Sequence, residues 1–179
     1  PLADSCVALA QRKVGQLPIK QHRTKVTDRF FNYIYVRTYG GQTFIRKRTG
    51  NDIWKNLYQF PLIETAGTEE ERNRVFMEKL QELFEGSQLA DHKVPLCGEE
   101  NATLRGEKCR FVKLLQTGVK HVLSHRVIHA NFYELVLPED FGALEGYQKV
   151  PIEELHKFAV SNLVYQFFSL ILKPNNQKI

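Results

Sequence analysis

The sequence predicts an α+β domain in which a mixed β-sheet packs against two to three helices. Alternating apolar residues flank Gly40-Gly41, and a capped amphipathic helix follows near residues 68–86. Further strand and helix patterns come later without a regular βαβ rhythm, which is typical of α+β folds. A chain of 179 residues is long enough to bury a core and suits one domain with a short appendage.

The first strand pair is predicted in "RFFNYIYVRTYGGQTFIRKR", residues 29–48. Paired glycines suit a tight primed turn, and the flanking runs alternate as strands do. The second strand ends in the basic cluster of Arg46, Lys47 and Arg48, which is either a solvated strand end or a phosphate contact. "LYQFPLIE", residues 57–64, predicts another strand, and Trp54 and Phe60 are expected in the core or at its edge.

The clearest helix follows Thr68. Glu71 lies three residues after this threonine, which is the spacing of a capping box, and Gly86 marks the predicted end of the helix. Its apolar stripe has helical spacing and consists of Val75, Phe76, Leu80, Leu83 and Phe84.

Other segments are assigned from the same signals. A short helix is predicted at 1–10, an extended basic connector at 11–27 and a loop at 87–105. Strands are predicted at 109–116 and 127–137, with "QTGVKHVLSH" looping between them. "VPIEELHKF" begins a helix, and "SNLVYQFFSLILK" makes another that Pro174 ends.

Composition is ordinary for a soluble globular protein, with 42% hydrophobic and 25% charged residues. The net charge of +5 and the isoelectric point near 9.1 are compatible with a polyanionic partner. No apolar run reaches the ~18 residues of a membrane span. Three cysteines without a C-x-x-C pair argue against a disulfide framework and a self-contained zinc site, and favour a reducing compartment.

Three histidines stand four residues apart in "HVLSHRVIH", residues 121–129. On a helix they would be about 6 Å apart and could share a metal ion. The β-branched and aromatic residues that follow favour a strand, where neighbours lie roughly 13 Å apart, so a shared metal site is not expected. The role of Ser124 and His125 stays open on these grounds.

The residues disfavour two enzyme classes. Nudix pyrophosphatases place R-E-U-x-E-E-x-G-U, with U aliphatic, on a helix whose carboxylates hold Mg²⁺. With Gly86 at the glycine of that motif, Leu83 and Phe84 occupy the acidic positions, and Glu78 and Glu82 alone are ordinary helix surface. A Ser/His hydrolase is disfavoured because no G-x-S-x-G surrounds Ser124.

Five segments follow one another along the chain: "PLADSC", "LPIKQHRTKVTDRFFNYIYV", "IWKNLYQFP", "HVLSH" and "VSNLVYQFFSLIL". In this order they resemble the C-terminal part of the MutY adenine DNA glycosylases, which remove adenine mispaired with 8-oxoguanine. "PLADSC" resembles the end of the family's iron–sulfur signature, and "LPIKQHRTKVTDRFFNYIYV" its basic connector and first strand. "IWKNLYQFP" resembles the tryptophan segment of its Nudix-like domain. "HVLSH" resembles the F-S-H loop, and "VSNLVYQFFSLIL" the closing helix.

The resemblance implies a division of the chain into a cluster-loop remnant with connector (1–27), a Nudix-like 8-oxoguanine recognition domain (28–173) and a tail (174–179). The adenine-excising catalytic domain would lie upstream, so no residue of this chain is expected to be catalytic and no cofactor is expected in it. Cys6 would be one ligand of a 4Fe–4S cluster in the parent glycosylase only, because such a cluster needs four thiolates.

The resemblance assigns lesion recognition to Leu123, Ser124 and His125. In 8-oxoguanine N7 carries a hydrogen and C8 a carbonyl, so a group that accepts from N7–H can tell the lesion from guanine. The Ser124 hydroxyl can accept and donate. Leu123 stands where the family has an aromatic wedge, and leucine can still wedge between bases.

DNA-backbone contacts are expected from six cations, because such contacts position a protein on DNA without reading its sequence. They are Lys20, Arg23, Lys25, Arg46, Lys120 and Arg126. The expected partner is double-stranded DNA containing 8-oxoguanine·A, bound by a monomeric chain of the cytoplasm and nucleoid, with no membrane association. A Nudix pyrophosphatase and a protein-docking module remain as alternatives.

Overall fold

The structure, a computed structural model, describes residues 3–17, 25–84, 112–139 and 141–172. Within these ranges it contains seven strands and three α-helices. The strands are β1 (Thr27–Thr38), β2 (Gln42–Lys47), β3 (Tyr58–Gln59), β4 (Leu62–Thr65), β5 (Val112–Val122), β6 (Arg126–Leu137) and β7 (Gln148–Pro151). The helices are α1 (Val7–Ala10), α2 (Glu69–Phe84) and α3 (Asn162–Ile171).

All seven strands belong to one mixed sheet, which confirms the predicted α+β class. Its main path runs β3-β2-β1-β6-β5, with β4 paired to β1 and β7 paired to β2. β1 and β6 lie parallel in the centre, in unbroken register from Thr27 opposite Arg126 to Thr38 opposite Leu137. The predicted hairpin is present, with Arg37 opposite Thr43 and a positive φ of 70° at Gly41, a conformation that glycine adopts readily.

The central strands are buried on both faces and separate two apolar clusters. Because successive side chains of a strand point to opposite faces, Phe31, Tyr33 and Tyr35 lie on one face, and Ile34 and Val36 on the other. The first cluster is closed by α3 and the second by α2. These two faces are referred to below as the α3 face and the α2 face.

The capping box predicted at the start of α2 is confirmed. The Thr68 amide donates to Glu71 Oε2 at 2.8 Å, and the Glu71 amide donates to the Thr68 hydroxyl at 3.4 Å. The hydrogen bond from the Thr68 amide lowers the pKa of Glu71. Of the predicted stripe, Phe76, Leu80 and Phe84 are buried against the α2 face.

The loop between the last two long strands is shorter than the sequence predicts. β5 continues through Val122, so most of "QTGVKHVLSH" is strand and only Leu123, Ser124 and His125 lie between β5 and β6 in the hairpin turn. The register of β5 against β6 shifts between Leu114 and Val119, and Gly118 adopts a φ of 66° there. A glycine that suggests a loop therefore forms a bulge inside a strand.

The C-terminal part also differs in detail from the prediction. "VPIEELHKF" contributes strand β7 and then a 3-10 helix, Ile152–Lys157, where an α-helix was expected. α3 begins as predicted after Ser161, whose hydroxyl accepts from the Val164 amide at 3.4 Å. "LYQFPLIE" forms two short strands, because the chain passes from pairing with β2 to pairing with β1.

The predicted loop at 87–105 and tail at 174–179 lie outside the described residues, and so does Gly86. The division at residues 27 and 173 stays a prediction. In the described part of the chain, no helix combines the length and apolar character that a membrane crossing requires.

Candidate functional site

The turn between β5 and β6 presents Ser124 and His125 at the surface. It is closed by a hydrogen bond of 2.8 Å from the Leu123 amide to the Arg126 carbonyl. The turn is also tied to the start of β1, because the Thr27 amide donates to the His125 carbonyl at 3.2 Å. Ser124 and His125 are both exposed, whereas Leu123 is half-buried and packs against the apolar cluster of the α3 face.

A cleft of about 460 Å³ opens beside this turn. One wall is the turn with its flanking residues, Leu123 to Arg126, and the other is the segment Asn51–Ile53. Ile53, Leu123 and the neighbouring Trp54 pack against the cluster that α3 closes. The cleft therefore lies on the α3 face of the sheet, opposite the face that carries α2.

Asp52 connects the two walls of the cleft. Its carboxylate accepts from Arg126 at 2.5 Å, from Arg29 of β1 at 2.8 Å and from Arg48 at 3.1 Å. Arg29 also forms a bidentate pair with Glu64 of β4. Three guanidinium groups thus meet two carboxylates, and two members of this cluster, Asp52 and Arg126, line the cleft.

The ionisation of this cluster follows from its contacts. Burial alone raises the pKa of Asp52, but the hydrogen bonds from the Ile53 amide, Arg29 and Arg126 outweigh it and bring the pKa to about 2. The hydrogen bonds with Glu64 and Asp52 raise the pKa of Arg29 above its usual value despite burial. Asp52 is therefore a carboxylate over the whole physiological pH range.

The three histidines of "HVLSHRVIH" have separate surroundings. His121 meets the Trp54 ring edge-on on the α3 face, with the ring centroids 5.6 Å apart. His129 lies on the α2 face, where its Nε2 is 2.7 Å from Asp28 Oδ1 and its ring stacks on Phe30. The described residues contain no group of three His, Cys, Asp or Glu side chains that could hold a metal ion.

The predicted backbone-contacting cations do not form one surface. Arg126 is on the cleft side and engages Asp52, whereas Lys120 is opposite His129 in the β5–β6 register and so lies on the α2 face. Arg46 stacks over the Tyr147 ring at 4.9 Å, and Lys25 is exposed just before β1.

Three other predicted residues lie in the N-terminal part of the chain. Lys20 and Arg23 are outside the described residues. Cys6 is half-buried just before α1, and it is a free cysteine.

The sequence reasoning missed the wall at Asn51–Ile53 and the role of Asp52. Asp52 is 74 residues from Arg126 and 23 from Arg29, and no local motif links them. The one available signal was a lone aspartate between the basic end of a strand and the only tryptophan, Trp54.

Comparisons with known proteins agree with the fold. A NUDIX domain family model matches residues 32–170, while no curated protein sequence matches the chain. Among solved structures, the chain is similar to the C-terminal domain of mouse MUTYH, determined in complex with human PCNA. The identity is 17% and the TM-score 0.53, over 80% of this chain and 86% of that chain.

The chain is similar as well to a MutT protein from Methanosarcina mazei. Here the identity is 12% and the TM-score 0.50, over 83% of this chain and 95% of that chain. At such sequence identities the similarity to these two structures supports the fold alone. The family match covers most of the sheet and both long helices, and the chain therefore belongs to the NUDIX domain family.

Proposed function

We propose that this NUDIX domain recognises 8-oxoguanine opposite adenine in double-stranded DNA, as the C-terminal domain of an adenine DNA glycosylase. One observation carries the proposal: the Ser124–His125 turn stands exposed at the rim of a cleft of about 460 Å³. The turn also coincides with the segment that resembles the F-S-H loop of the MutY family. The fold it shares with a MUTYH C-terminal domain agrees with this assignment.

The chemistry of the turn suits a lesion reader. A side chain that accepts from N7–H distinguishes 8-oxoguanine from guanine, whose N7 only accepts, and the exposed Ser124 hydroxyl can accept. His125 supplies a second polar group beside it. Leu123 is half-buried against the core and can anchor the base of the turn while its outer edge meets a base step.

The partners follow from this role. In the proposal the catalytic domain of the glycosylase lies elsewhere in the parent protein, and Cys6 contributes to an iron–sulfur cluster there. The exposed cations Lys25, Arg46 and Lys120 are proposed as phosphate contacts that position the domain without reading sequence, although Lys120 lies on the sheet face opposite the cleft.

Nucleotide hydrolysis is the second candidate, because the chain shares the fold of a MutT protein. Hydrolases of this kind need clustered carboxylates for Mg²⁺. α2 lies on the sheet face opposite the cleft, and the described residues bring no three ligating side chains together. The test is phosphate or pyrophosphate release from nucleoside triphosphates with Mg²⁺, compared between the wild-type chain and Glu82→Gln. Release that Glu82→Gln abolishes would favour hydrolysis.

Lesion recognition is tested by a binding titration. Duplexes with 8-oxoguanine·A and G·A are compared at low and physiological salt, using the wild-type chain, Ser124→Ala and a control, Ser169→Ala. The Ser169 hydroxyl donates to the Tyr165 carbonyl within α3 and lies outside the cleft. We expect a preference for the lesion on the order of 1–3 kcal/mol that shrinks only in Ser124→Ala.

If both duplexes bind equally and lose affinity in parallel at higher salt, the chain does not recognise the lesion. It would then bind only the phosphate backbone of the DNA. Absence of binding would instead favour a protein-docking module. The MUTYH domain was determined with a protein partner, PCNA, so binding of PCNA would be measured next.

A further inference from the structure

The position of the Ser124–His125 turn depends on a charged contact across the cleft. We propose that Asp52 is a positioning residue: it holds Arg126, and through Arg126 the turn, at a fixed place relative to the opposite wall. The DNA readout of this inference rests on the proposed function, but the structural readout does not.

Asp52 is itself firmly anchored. Arg29 donates to both of its carboxylate oxygens, at 2.8 and 2.9 Å, and Arg48, the residue after β2, donates to it as well. The side chains of Arg29 and Arg48 are only 18% and 13% exposed, so these contacts are shielded from water and salt. Charge-assisted, partly buried bonds of this kind restrict both partners.

Arg126 is the outermost arginine of the cluster and the one connected to the turn. Its side chain, 38% exposed, donates to Asp52, and its carbonyl accepts the bond from the Leu123 amide that closes the turn. Loss of the Asp52 contact therefore removes the side-chain restraint on the residue at which the turn closes, while its backbone stays paired with Thr27. A side chain that recognises a base is selective only when the contacts around it hold it in a fixed position.

This geometry gives Arg126 a role different from a phosphate contact. A guanidinium that already binds a carboxylate releases no counterion when DNA binds, so its removal leaves the salt dependence of binding unchanged. A guanidinium that contacts a phosphate does release a counterion, and its removal lowers the salt dependence. The two roles therefore predict different behaviour of the same variant, Arg126→Gln.

The first test uses the chain without DNA and measures amide hydrogen exchange. In Arg126→Gln and Asp52→Asn, the Leu123 and Thr27 amides should exchange about fivefold faster, because a contact worth up to ~1 kcal/mol no longer restrains the turn. Arg126→Lys, which keeps the charge, should recover part of the protection.

The matched control is Arg37→Gln. Arg37 donates to Glu134 at 3.0 Å and its side chain is 38% exposed, as that of Arg126 is, but it lies toward the opposite end of β1. This variant should leave the Leu123 amide unchanged. An unchanged exchange rate of the Leu123 amide in Arg126→Gln would overturn the proposal. A rise in exchange rate that extends to the Tyr39 amide would overturn it as well, because that amide donates to the Leu137 carbonyl at the other end of the β1–β6 pair.

The second test repeats the duplex titration with Arg126→Gln. Positioning predicts a reduced preference for the lesion duplex with an unchanged slope of log affinity against log salt. A phosphate contact predicts a slope smaller by about 0.9 and an unchanged preference, and this result would overturn the proposal. If the wild-type chain shows no lesion preference, the proposed function fails, and the exchange measurement still decides the role of Asp52.

Discussion

Tyr33 places a hydroxyl in the middle of the apolar cluster on the α3 face. Its ring is fully buried, stacks on Phe132 with centroids 5.2 Å apart and meets Phe31 edge-on. Within the described residues the hydroxyl has no hydrogen-bond partner. Burial disfavours the phenolate and so raises the pKa of Tyr33 above its usual value. The hydroxyl thus carries a desolvation cost with no compensating bond.

Tyr33→Phe should therefore stabilise the chain. Removing an unpaired buried hydroxyl while keeping the ring is expected to raise the free energy of unfolding by about 1 kcal/mol. Urea denaturation at neutral pH measures the change, with Tyr165→Phe as the control because Tyr165 is 60% exposed. A loss of stability would mean that an ordered water bonds the hydroxyl, and the expectation would be wrong.

Single residues with strong local signals were predicted well. Phe60 is buried in the core and Trp54 packs at its edge, as the sequence indicated. Asp52 was missed because its partners come from β1, from the end of β2 and from the start of β6. Such a cluster depends on the tertiary arrangement, and hydrophobic periodicity carries no information about it.

Among the elements, β5 depends on one glycine. Gly118 has a φ of 66° at the register shift against β6, and no atom lies within 4 Å of the place where a Cβ would stand. A side chain at position 118 is therefore disfavoured by the backbone conformation and not by contacts with neighbouring atoms. The Asn131 side chain accepts from the Gly118 amide at 3.0 Å and holds the bulge in place.

Gly118→Ala should destabilise the hairpin through its backbone alone. A non-glycine residue in the left-handed region costs roughly 1–2 kcal/mol, which should appear as a lower free energy of unfolding. Gly15→Ala is the matched control, since its Cβ also meets no atom and its φ is not positive. Equal stability of the two variants would show that the bulge relaxes without cost.

Elements with a complete local signature were predicted from the sequence. The hairpin around Gly41 and the capping box of α2 each contain their own turn or cap residues. The predicted strand was shorter than β5, because the sequence does not distinguish a glycine in a bulge from one in a loop. β7 was missed because its four residues become a strand by pairing with β2.

For the whole molecule, the sheet separates two cores. Ile34 lies in the cluster that α2 closes and Ile128 in the cluster that α3 closes, and both are fully buried. The mixed α+β class was predictable because strand and helix patterns follow one another along the chain without a regular βαβ rhythm. The strand order was not, since pairing partners are distant in sequence.

The two cores should respond independently to substitution. Ile34→Val and Ile128→Val are each expected to cost about 0.5–1.5 kcal/mol of unfolding free energy. The double variant should show their sum within about 0.5 kcal/mol, because the two residues belong to separate clusters. Urea denaturation of the four chains closes the cycle. A larger coupling would show that strain passes through the sheet.

The parallel pairing of β1 with β6 has a consequence during synthesis on the ribosome. Asn131 meets Asn32, which lies 99 positions earlier in the chain, and every pair of this ladder has the same separation. At about 5–20 residues per second, the aromatic residues of β1 wait on the order of 5–20 s for their neighbour to emerge. Until then Phe31, Tyr33 and Tyr35 are exposed, which makes the nascent first hairpin a natural client for chaperones that bind aromatic segments.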